Sequence, residues 1–346
     1  MAIYLSFFGL ERDPFGVTPD PDFLYLTRGH REALAQLTYA VQEQKGFILL
    51  TAEVGTGKTT LLHAFRSQLD SNTAVAYVAN SMLPFTGILE YMLEEFEINK
   101  PGETHAQRLV TLQNFLLERH RSGQNTVLIL DEAQNLYPQT LEQIRLLSNF
   151  ETTKEKILQI LLVGQPELAA NLDRPELRQL NQRIGLRCSL PTLGPGGTRN
   201  YVRSRLRIAG ARDPQIFTEH ALARISEYAN GIPRIINTLC DHCLVIGYAD
   251  QTRRIDREIV DEAIAYFEAG GPSRRRSRTL RRRMKKPRLA PLQWGLMGVT
   301  TAIIAGAITF TALHPDVVLH VYETATSSLL SMASSIARSA RDFLQL

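Results

Sequence analysis

Cysteine is scarce in this chain. Its 346 residues contain three, at Cys188, Cys240 and Cys243. A disulfide-stabilised secreted scaffold is therefore excluded, and a reducing cytosol is expected. Cys240 and Cys243 have the spacing of a redox motif or of half a zinc site, but no second pair accompanies them. Because they lie in an apolar run with helical character from Ile235 to Tyr248, we interpret them as helix-packing residues rather than as sites of thiol or metal chemistry.

Acidic residues are absent from one strongly basic segment. Ten Arg and Lys residues and no Asp or Glu lie between Arg274 and Arg288. The chain's net charge of +4 falls to −6 once these ten are set aside. The remainder is thus slightly acidic, which argues against a nucleic-acid interface spread over the whole surface. The N-terminus also lacks a basic region, so no cleaved signal peptide is predicted.

Charged residues are missing from the next stretch, Leu289 to Leu313. Its last 20 residues, starting at Trp294, would form about 30 Å of helix, enough to cross the hydrocarbon core of a bilayer. We predict a basic linker at residues 271–292 and one transmembrane helix at 293–313, with a buried core helix as the alternative. Basic residues beside one end of a span mark its cytoplasmic side, so the tail at 314–346 is expected across the membrane.

Two features of this C-terminal region suggest contacts with other chains. Gly298, Ala302 and Gly306 are four residues apart and share one helix face, which favours close helix association, although a general richness in small residues is the alternative. In the tail, apolar residues recur at helical spacing, which predicts a short amphipathic helix that docks on a partner or on the membrane surface. They are Leu329, Met332, Ile336, Ala340 and Phe343.

Strand-length apolar runs alternate with helix-length amphipathic stretches through the first half of the chain. Such alternation predicts a parallel sheet with helices on both faces. After a turn-rich hinge at Pro191–Gly197 no strand signal remains, and Thr198–Ala269 is predicted to form three or four helices. We therefore predict an α/β domain with its N-terminal lead-in at 1–193 and a helical lid domain at 194–270. The predicted strands are Phe47–Thr51, Ala74–Val78, Val127–Leu130, Ile157–Val163 and Gly185–Leu190.

A glycine-rich loop between the first strand and the next helix predicts a phosphate-binding site. Backbone N–H groups of such a loop wrap phosphates, and the helix N-terminus adds positive potential. Lys58 is placed to reach the β- and γ-phosphates of ATP, and Thr59 to hold Mg²⁺. Ala52 replaces the first glycine of the usual pattern, which is tolerable if its φ angle is negative. The predicted nucleotide-binding residues are Gly55, Thr56, Gly57, Lys58, Thr59 and Thr60.

A second element supports this interpretation about 70 residues downstream. The apolar strand Val127–Leu130 delivers two carboxylates at its C-terminal end, Asp131 to bind Mg²⁺ and Glu132 to polarise the attacking water. An acidic pair that caps a helix is the alternative. The run Ala74–Val78 intervenes between the two motifs, as in the branch of P-loop NTPases that includes the AAA+ proteins, where another strand separates them.

Further groups are needed to sense the γ-phosphate and to stabilise the charge that develops during transfer. Gln165 follows a predicted strand and is a candidate polar sensor, with a turn residue as the alternative. Arg183 is a candidate arginine finger that acts on a neighbouring subunit, and Arg178 is a weaker candidate. Arg234 begins a helix of the predicted lid and would reach back to the nucleotide. Phe15 and Tyr25 are plausible neighbours of the adenine.

With these residues in place, the chain resembles the ExeA / general secretion pathway protein A family of AAA+ ATPases over about residues 1 to 268. The N-terminal motif is more specific than the phosphate loop. The resemblance rests on Tyr4–Leu10, Asp13–Phe15, Thr18–Pro21, Phe23–Leu26, His30–Leu34, Gly55–Thr60, Asp131–Leu136, Gly164–Leu168 and Gly231–Arg234.

The resemblance implies a single-pass bacterial inner-membrane protein, with its ATPase domain cytoplasmic and its tail periplasmic. Such a protein would use ATP and Mg²⁺ to assemble or remodel a secretion, pilus or exopolysaccharide-export machine. A homo-oligomeric, hexamer-like ring and an envelope membrane-protein partner are expected. Relatives of the secretion type carry a long periplasmic region that binds peptidoglycan, whereas 33 residues follow the predicted span here. Direct peptidoglycan binding is therefore not expected.

Two alternative functions stay open at this point. Related AAA+ proteins serve DNA transposition, and the basic segment could bind nucleic-acid phosphates. Its position beside an uncharged stretch favours a role at the membrane instead. The other alternative is a nucleotide-gated scaffold with little turnover.

Overall fold

The computed structural model describes most of the first 269 residues. These residues fall within the first of two compact units, Met1–Ser273. In the part of the chain so described, no helix is long and apolar enough to cross a membrane. The predicted linker at 271–292, span at 293–313 and tail at 314–346 lie outside the described residues. The described residues are 2–16, 20–23, 25–79, 82–99, 102–152 and 155–269.

A parallel sheet forms the centre of the nucleotide-binding half of the molecule, as predicted. Its strands start and end within two residues of their predicted positions. They are β1 (Phe47–Ala52), β2 (Ala74–Val78), β3 (Thr126–Leu130), β4 (Gln159–Gly164) and β5 (Ile184–Leu190). Across the sheet they lie in the order β2-β3-β4-β1-β5, and each neighbouring pair is parallel.

The strand order places the two predicted motifs close to each other. β1 and β3 are separated by β4 alone, so the segments that follow these three strands meet at the C-terminal ends of the strands. Another strand therefore does separate the two motifs, and that strand is β4. The run Ala74–Val78, which intervenes between the motifs in sequence, is instead β2, an outermost strand of the sheet.

Helices follow most of the strands and make up most of the regular structure outside the sheet. Before the hinge they are α1 (Leu5–Phe8), α2 (Arg28–Gln42), α3 (Lys58–Gln68), α4 (Phe85–Glu95), α5 (His105–Arg121), α6 (Pro138–Leu147), α7 (Pro166–Leu172) and α8 (Arg178–Gln182). After it they are α9 (Pro195–Ile208), α10 (Glu219–Ala229), α11 (Pro233–Ala249) and α12 (Arg257–Glu268). Short 3₁₀ turns occur at Pro21–Phe23, Ala133–Asn135 and Pro175–Leu177.

Alternate residues of each central strand face opposite sides of the sheet, because side chains along a strand repeat with period two. In β1, Phe47 and Leu49 belong to one hydrophobic core, together with apolar residues of α4 to α8. Ile48 and Leu50 belong to a second core on the other face, which α2 and α3 cover. Both faces are thus buried, as expected for a parallel sheet.

The four helices after the hinge share a third hydrophobic core with the N-terminal segment. Tyr4, Leu5, Phe15 and Phe23 are buried in this core together with residues of α9 to α12. The predicted domain division at residue 193 assigned the lead-in to the α/β domain, whereas these side chains pack among the C-terminal helices. Helices already cover both faces of the sheet. The aromatic side chains of the lead-in therefore bury their apolar surface against the C-terminal helices.

Candidate functional site

The loop between β1 and α3 has the shape of a phosphate cradle. Gly55 and Gly57 have φ angles of 81° and 103°, which is a left-handed backbone conformation that residues other than glycine rarely adopt. The Thr56 hydroxyl donates to the Glu53 carbonyl at 2.7 Å, which tightens the turn. Ala52 lies in β1 and is not among the residues with positive φ, so the departure from the usual pattern is accommodated as predicted.

Lys58 is the first residue of α3 and lies at the centre of the site. Its side chain is only 7% exposed, and its Nζ lies 3.7 Å from Glu132 Oε1. A buried ammonium group requires a nearby anion, and here the anion is a residue predicted to be catalytic. Thr59, the predicted Mg²⁺ ligand of the loop, is the next residue and is exposed to solvent.

Asp131 is held by hydrogen bonds to both of its carboxylate oxygens. Oδ2 accepts from the hydroxyl of Tyr77 at 2.8 Å, and Oδ1 accepts from the backbone N–H of Glu132 at 2.8 Å. The residue directly follows β3 and is buried. A carboxylate oriented in this way is a ligand that Mg²⁺ prefers. Burial and the hydrogen bond to Asp131 raise the pKa of Tyr77 above its ordinary value, so this phenol stays protonated as a donor.

Glu132 has an unusual backbone and a well-defined set of partners. Its φ and ψ angles are 51° and 37°, which is uncommon for a residue with a long side chain. Oε2 accepts from Gln134 Nε2 at 2.6 Å and from Gln165 Nε2 at 3.4 Å. Partial burial opposes ionisation, but the hydrogen bond from Gln134 and the charge of Lys58 outweigh it and lower the pKa of this carboxyl group. Glu132 is therefore ionised at neutral pH and able to accept a proton.

Gln134 links the two predicted catalytic residues that follow β3 and β4. While its amide nitrogen donates to Glu132, its Oε1 accepts from the backbone N–H of Gln165 at 3.2 Å. A Cβ on Gly164 would lie 2.6 Å from that oxygen, so a side chain at this position would displace the Gln134 amide. Sequence reasoning did not single out Gln134, because a glutamine in a loop carries no local signal of its role.

Arg234 brings the C-terminal helices to the phosphate loop. Its backbone N–H donates to the carbonyl of Gly55 at 3.2 Å, from the first turn of α11. A Cβ on Gly55 would lie 2.7 Å from the Arg234 Cβ, so the contact requires glycine in the loop. A cleft of about 440 Å³ opens beside this contact, with Lys58, Thr59 and Glu132 among its lining residues.

The opposite wall of the cleft comes from α9, α11 and the lead-in. Arg205 is buried, lies over the ring of Phe23 at 4.7 Å, and donates to the Tyr201 hydroxyl at 3.1 Å. Tyr201 in turn donates to Asn237 Oδ1 at 2.9 Å. Sequence reasoning assigned none of these four residues a role at the site, although Phe23 belongs to the motif Phe23–Leu26. The one available signal was the spacing of Tyr201 and Arg205, which puts them on one face of α9.

Phe15 and Tyr25, the suggested neighbours of the adenine, lie in different surroundings. Phe15 is buried against Phe217, with ring centroids 6.2 Å apart, and does not line the cleft. Tyr25 lines a smaller cavity of about 70 Å³ beside the phosphate loop. Tyr25 therefore lies near the phosphate loop, whereas Phe15 is a core residue.

Arg183 and Arg178 do not line the cleft. Arg183 uses its Nη1 to donate to Asn149 Oδ1 at 2.8 Å, to the Arg145 carbonyl at 3.4 Å and to the Ser148 hydroxyl, so it caps the end of α6. Arg178 begins α8 and is exposed to solvent. A role on a neighbouring subunit stays a prediction for both residues. For Arg183, this role requires that the guanidinium release its three present hydrogen-bond acceptors.

All three cysteines lie in the protein core, which for Cys240 and Cys243 agrees with their interpretation as helix-packing residues. Cys240 and Cys243 are fully buried on α11, and Cys188 is buried on β5. Burial raises the pKa of Cys188 to about 12, and it raises the pKa of the other two thiols as well. At neutral pH all three are protonated side chains that pack as small apolar groups.

Comparison with known proteins agrees with this geometry. The model of a family described as "AAA domain" matches residues 41–172. General secretion pathway protein A of Aeromonas hydrophila is 42% identical over 270 residues, which are 78% of this chain and 49% of that protein. The chain thus spans about half the length of this relative.

Solved structures share the fold at low sequence identity. The ORC2 protein of Aeropyrum pernix is 21% identical, with a TM-score of 0.55 over 76% of this chain and 73% of that one. Cdc6p of Pyrobaculum aerophilum is 20% identical, with a TM-score of 0.55 over 71% and 70%.

The fold and the loop geometry define a P-loop protein with an AAA domain. The extent of the identity with General secretion pathway protein A is more specific. The chain belongs to the ExeA-like family of AAA ATPases.

Proposed function

We propose that this protein is a membrane-anchored ATPase that uses the binding and hydrolysis of ATP to assemble or remodel a machine of the bacterial cell envelope. One observation carries the enzymatic part of the proposal. The phosphate loop, Asp131, Glu132 and Gln165 meet at one edge of the sheet, and Glu132 lies 3.7 Å from Lys58. In the proposed mechanism this set provides a phosphate cradle, a metal ligand, a base and a polar sensor.

The residues of the proposed site suit the separate tasks of phosphoryl transfer to water. Loop amides and the ammonium of Lys58 bind the phosphates, while Thr59 and Asp131 fit Mg²⁺ by their oxygen donors. A bound Mg²⁺ would neutralise charge on the phosphates. Glu132, held ionised by its neighbours, accepts hydrogen bonds from the attacking water and orients it. Gln165 provides an amide donor beside Glu132 for the oxygens of the γ-phosphate.

We propose that the four C-terminal helices act as a lid over the nucleotide. The support is the contact of Arg234 with the loop and the wall formed by Tyr201 and Arg205. The base would lie against this wall of the cleft, which Phe23, Tyr201 and Arg205 line. Binding of nucleotide would then couple the sheet to the helices, and hydrolysis would change that coupling.

The membrane-related parts of the proposal rest on the sequence and on the relative. The predicted span at 293–313 and the basic linker at 271–292 favour a cytoplasmic ATPase tethered to the inner membrane. The name of the relative, General secretion pathway protein A, supports a role in secretion or a similar envelope process. We propose that the span and the tail at 314–346 contact a membrane-protein partner in that machine, and that the ATPase works as a ring.

Nucleotide binding by three forms of the full chain tests the site. Lys58→Ala should weaken ATP binding by about tenfold or more, because a buried charge-assisted contact is lost. Glu132→Gln should bind ATP at least as well as wild type, since its role is in the chemical step. Equal binding by Lys58→Ala and wild type would contradict the proposed site.

Membrane fractionation tests the anchor independently. Deletion of residues 293–313 should move the protein from the membrane fraction to the soluble fraction while ATP binding is retained. Recovery of the intact chain in the soluble fraction, with nucleic acid bound in a salt-dependent way, would favour the transposition-type alternative instead.

A further inference from the structure

His30 is a buried titratable residue that the proposed mechanism does not use. It lies in the first turn of α2, only 5% exposed, in the lead-in rather than in the phosphate loop. Its Nδ1 is 2.6 Å from the Thr27 hydroxyl, and the same hydroxyl accepts from the backbone N–H of His30 at 3.2 Å. A buried imidazole with such defined partners has its ring orientation fixed.

The other side of the ring faces the phosphate loop. A Cβ on Gly57 would lie 3.1 Å from His30 Nε2, so the ring packs directly against the loop backbone. Burial lowers the pKa of His30, and a hydrogen bond with the Thr56 backbone opposes this change. Because only an acceptor stabilises the protonated ring, His30 is the donor of this bond and the Thr56 carbonyl is the acceptor. The two contacts fix one tautomer, in which Nδ1 accepts from Thr27 and Nε2–H donates to Thr56.

Fixing the Thr56 carbonyl also fixes the next N–H group. The Thr56 carbonyl and the Gly57 N–H belong to one planar peptide, and in a trans peptide they point in opposite directions. A carbonyl held towards His30 therefore turns the Gly57 N–H away from it. That N–H has no backbone acceptor among the described residues, so it is available to an anion in the loop.

We propose that His30 is a positioning residue for the phosphate loop, which orients the Thr56–Gly57 peptide so that the Gly57 N–H is ready to bind a phosphate of the nucleotide. The inference rests on the proposed function. It assigns a task to the His30–Leu34 part of the lead-in. It predicts that the segment before the sheet affects nucleotide affinity.

The test is the affinity of the full-length protein for ADP and for inorganic pyrophosphate. His30→Leu removes the donor and should raise the Kd of both ligands by a similar factor, about 5- to 10-fold for one lost hydrogen bond. His30→Gln can offer an amide N–H near the position of Nε2, and should restore most of the affinity. His63→Leu is the matched control, because His63 lies on α3 with an exposed side chain, and its affinities should equal those of wild type.

Steady-state ATP turnover provides a second readout. His30→Leu should raise KM by the same factor while kcat changes by less than about twofold, because the residue acts on binding and not on the reacting atoms. If His30→Leu does not fold, Thr27→Val carries the test. It frees Nδ1, should raise both Kd values by a smaller factor, and is compared with Thr27→Ser, which keeps the hydroxyl.

Several outcomes would overturn the inference. Unchanged affinities in His30→Leu would do so, as would a loss for ADP without a loss for pyrophosphate, which would indicate contact with the nucleoside. Equal losses in His30→Leu and His30→Gln that follow a lowered Tm would indicate a purely structural role. Absence of ADP binding by wild type would instead overturn the proposed function itself.

Discussion

Asp131 and Glu132 are adjacent in sequence but are held in different ways. Asp131 continues the line of β3, and its backbone N–H still donates to Val78 of the neighbouring strand at 3.0 Å. Glu132 turns into the left-handed region, at a cost of about 1 kcal/mol or more for a residue with a Cβ. The turn separates the directions of the two carboxylates, so Asp131, the proposed metal ligand, contacts Tyr77, whereas Glu132 faces Lys58.

Tyr77 offers a prediction about the metal site. Tyr77→Phe removes the hydroxyl that donates to Asp131 Oδ2 and leaves the ring in place. The carboxylate then loses an orienting partner, and the Mg²⁺ concentration for half-maximal turnover should rise about tenfold. A Mg²⁺ titration of ATP turnover measures this. Tyr39→Phe, at an exposed tyrosine on α2, is the control and should behave as wild type. An unchanged Mg²⁺ requirement in Tyr77→Phe would show that the contact does not tune the site.

The cysteines offer a prediction about reactivity. Their pKa values are raised by burial, so at pH 8 the thiolate that reacts with alkylating reagents is strongly depleted. In the native protein Cys188, Cys240 and Cys243 should resist iodoacetamide at this pH, and all three should react after denaturation. Mass spectrometry of the modified peptides gives the extent at each site. Rapid labelling of native Cys240 or Cys243 would instead support the alternative of thiol chemistry.

At this scale the sequence predicts residues whose role follows from local spacing. The loop from Gly55 to Thr60 and the Asp131–Glu132 pair are such cases, because each is positioned by the strand directly before it. The roles of Tyr77, Gln134 and Arg205 could not be predicted from local spacing. Each acts through a contact with a residue brought near by the fold, and their own neighbours in sequence carry no trace of that contact.

Among the elements, the N-terminal segment has the least expected position. Tyr4 is buried, and its hydroxyl donates to Asp241 on α11 and to Asp13 Oδ1 at 3.3 Å. The segment is thereby fixed to the helices that follow the hinge, more than 200 residues further along the chain. Periodicity predicted the strands and helices well, because it reports the burial pattern of each element by itself. Which core an irregular segment joins depends on long-range contacts that periodicity does not contain.

The burial of Asp241 predicts a pH dependence of stability. Burial raises the pKa of Asp241 above its ordinary value and outweighs the hydrogen bond from Tyr4, which lowers it, and the charge of Asp13 adds a smaller increase. The folded state therefore holds this proton more tightly than the unfolded state, and the contribution of Asp241 to stability falls as pH rises from about 4 through the folded pKa. The side chain in Asp241→Asn cannot ionise, so the stability of this variant lacks the pH-dependent contribution of the carboxyl group. The free energy of unfolding of wild type minus that of Asp241→Asn should thus decrease between pH 4 and pH 7 in urea titrations. A difference that increases with pH would contradict the assignment.

The whole molecule is proposed to work as a ring, and this predicts complementation between inactive subunits. Arg183→Ala should lose turnover if Arg183 acts on the neighbouring site, and Glu132→Gln should lose it through its own site. In a mixture, an Arg183→Ala subunit keeps its Glu132 and can receive the arginine of a Glu132→Gln neighbour. Mixing the two should therefore restore part of the activity.

The capping role of Arg183 at the end of α6 makes controls necessary. The Tm of Arg183→Ala should be recorded, and Arg178→Ala should be mixed with Glu132→Gln in the same way. Restoration with Arg178→Ala alone would move the finger to α8. Restoration with neither variant would argue against a residue shared between subunits.

The central claim is that this site hydrolyses ATP, and its most direct test is ATP turnover by the purified full-length protein in lipid nanodiscs. Wild type is compared with Glu132→Gln, and the oligomer mass is recorded in ATP. The account predicts turnover by wild type, a loss of about 100-fold or more in Glu132→Gln, and a ring that persists in both. Undiminished turnover in Glu132→Gln would contradict the assignment of the base, and no turnover by wild type would favour a nucleotide-gated scaffold over an ATPase.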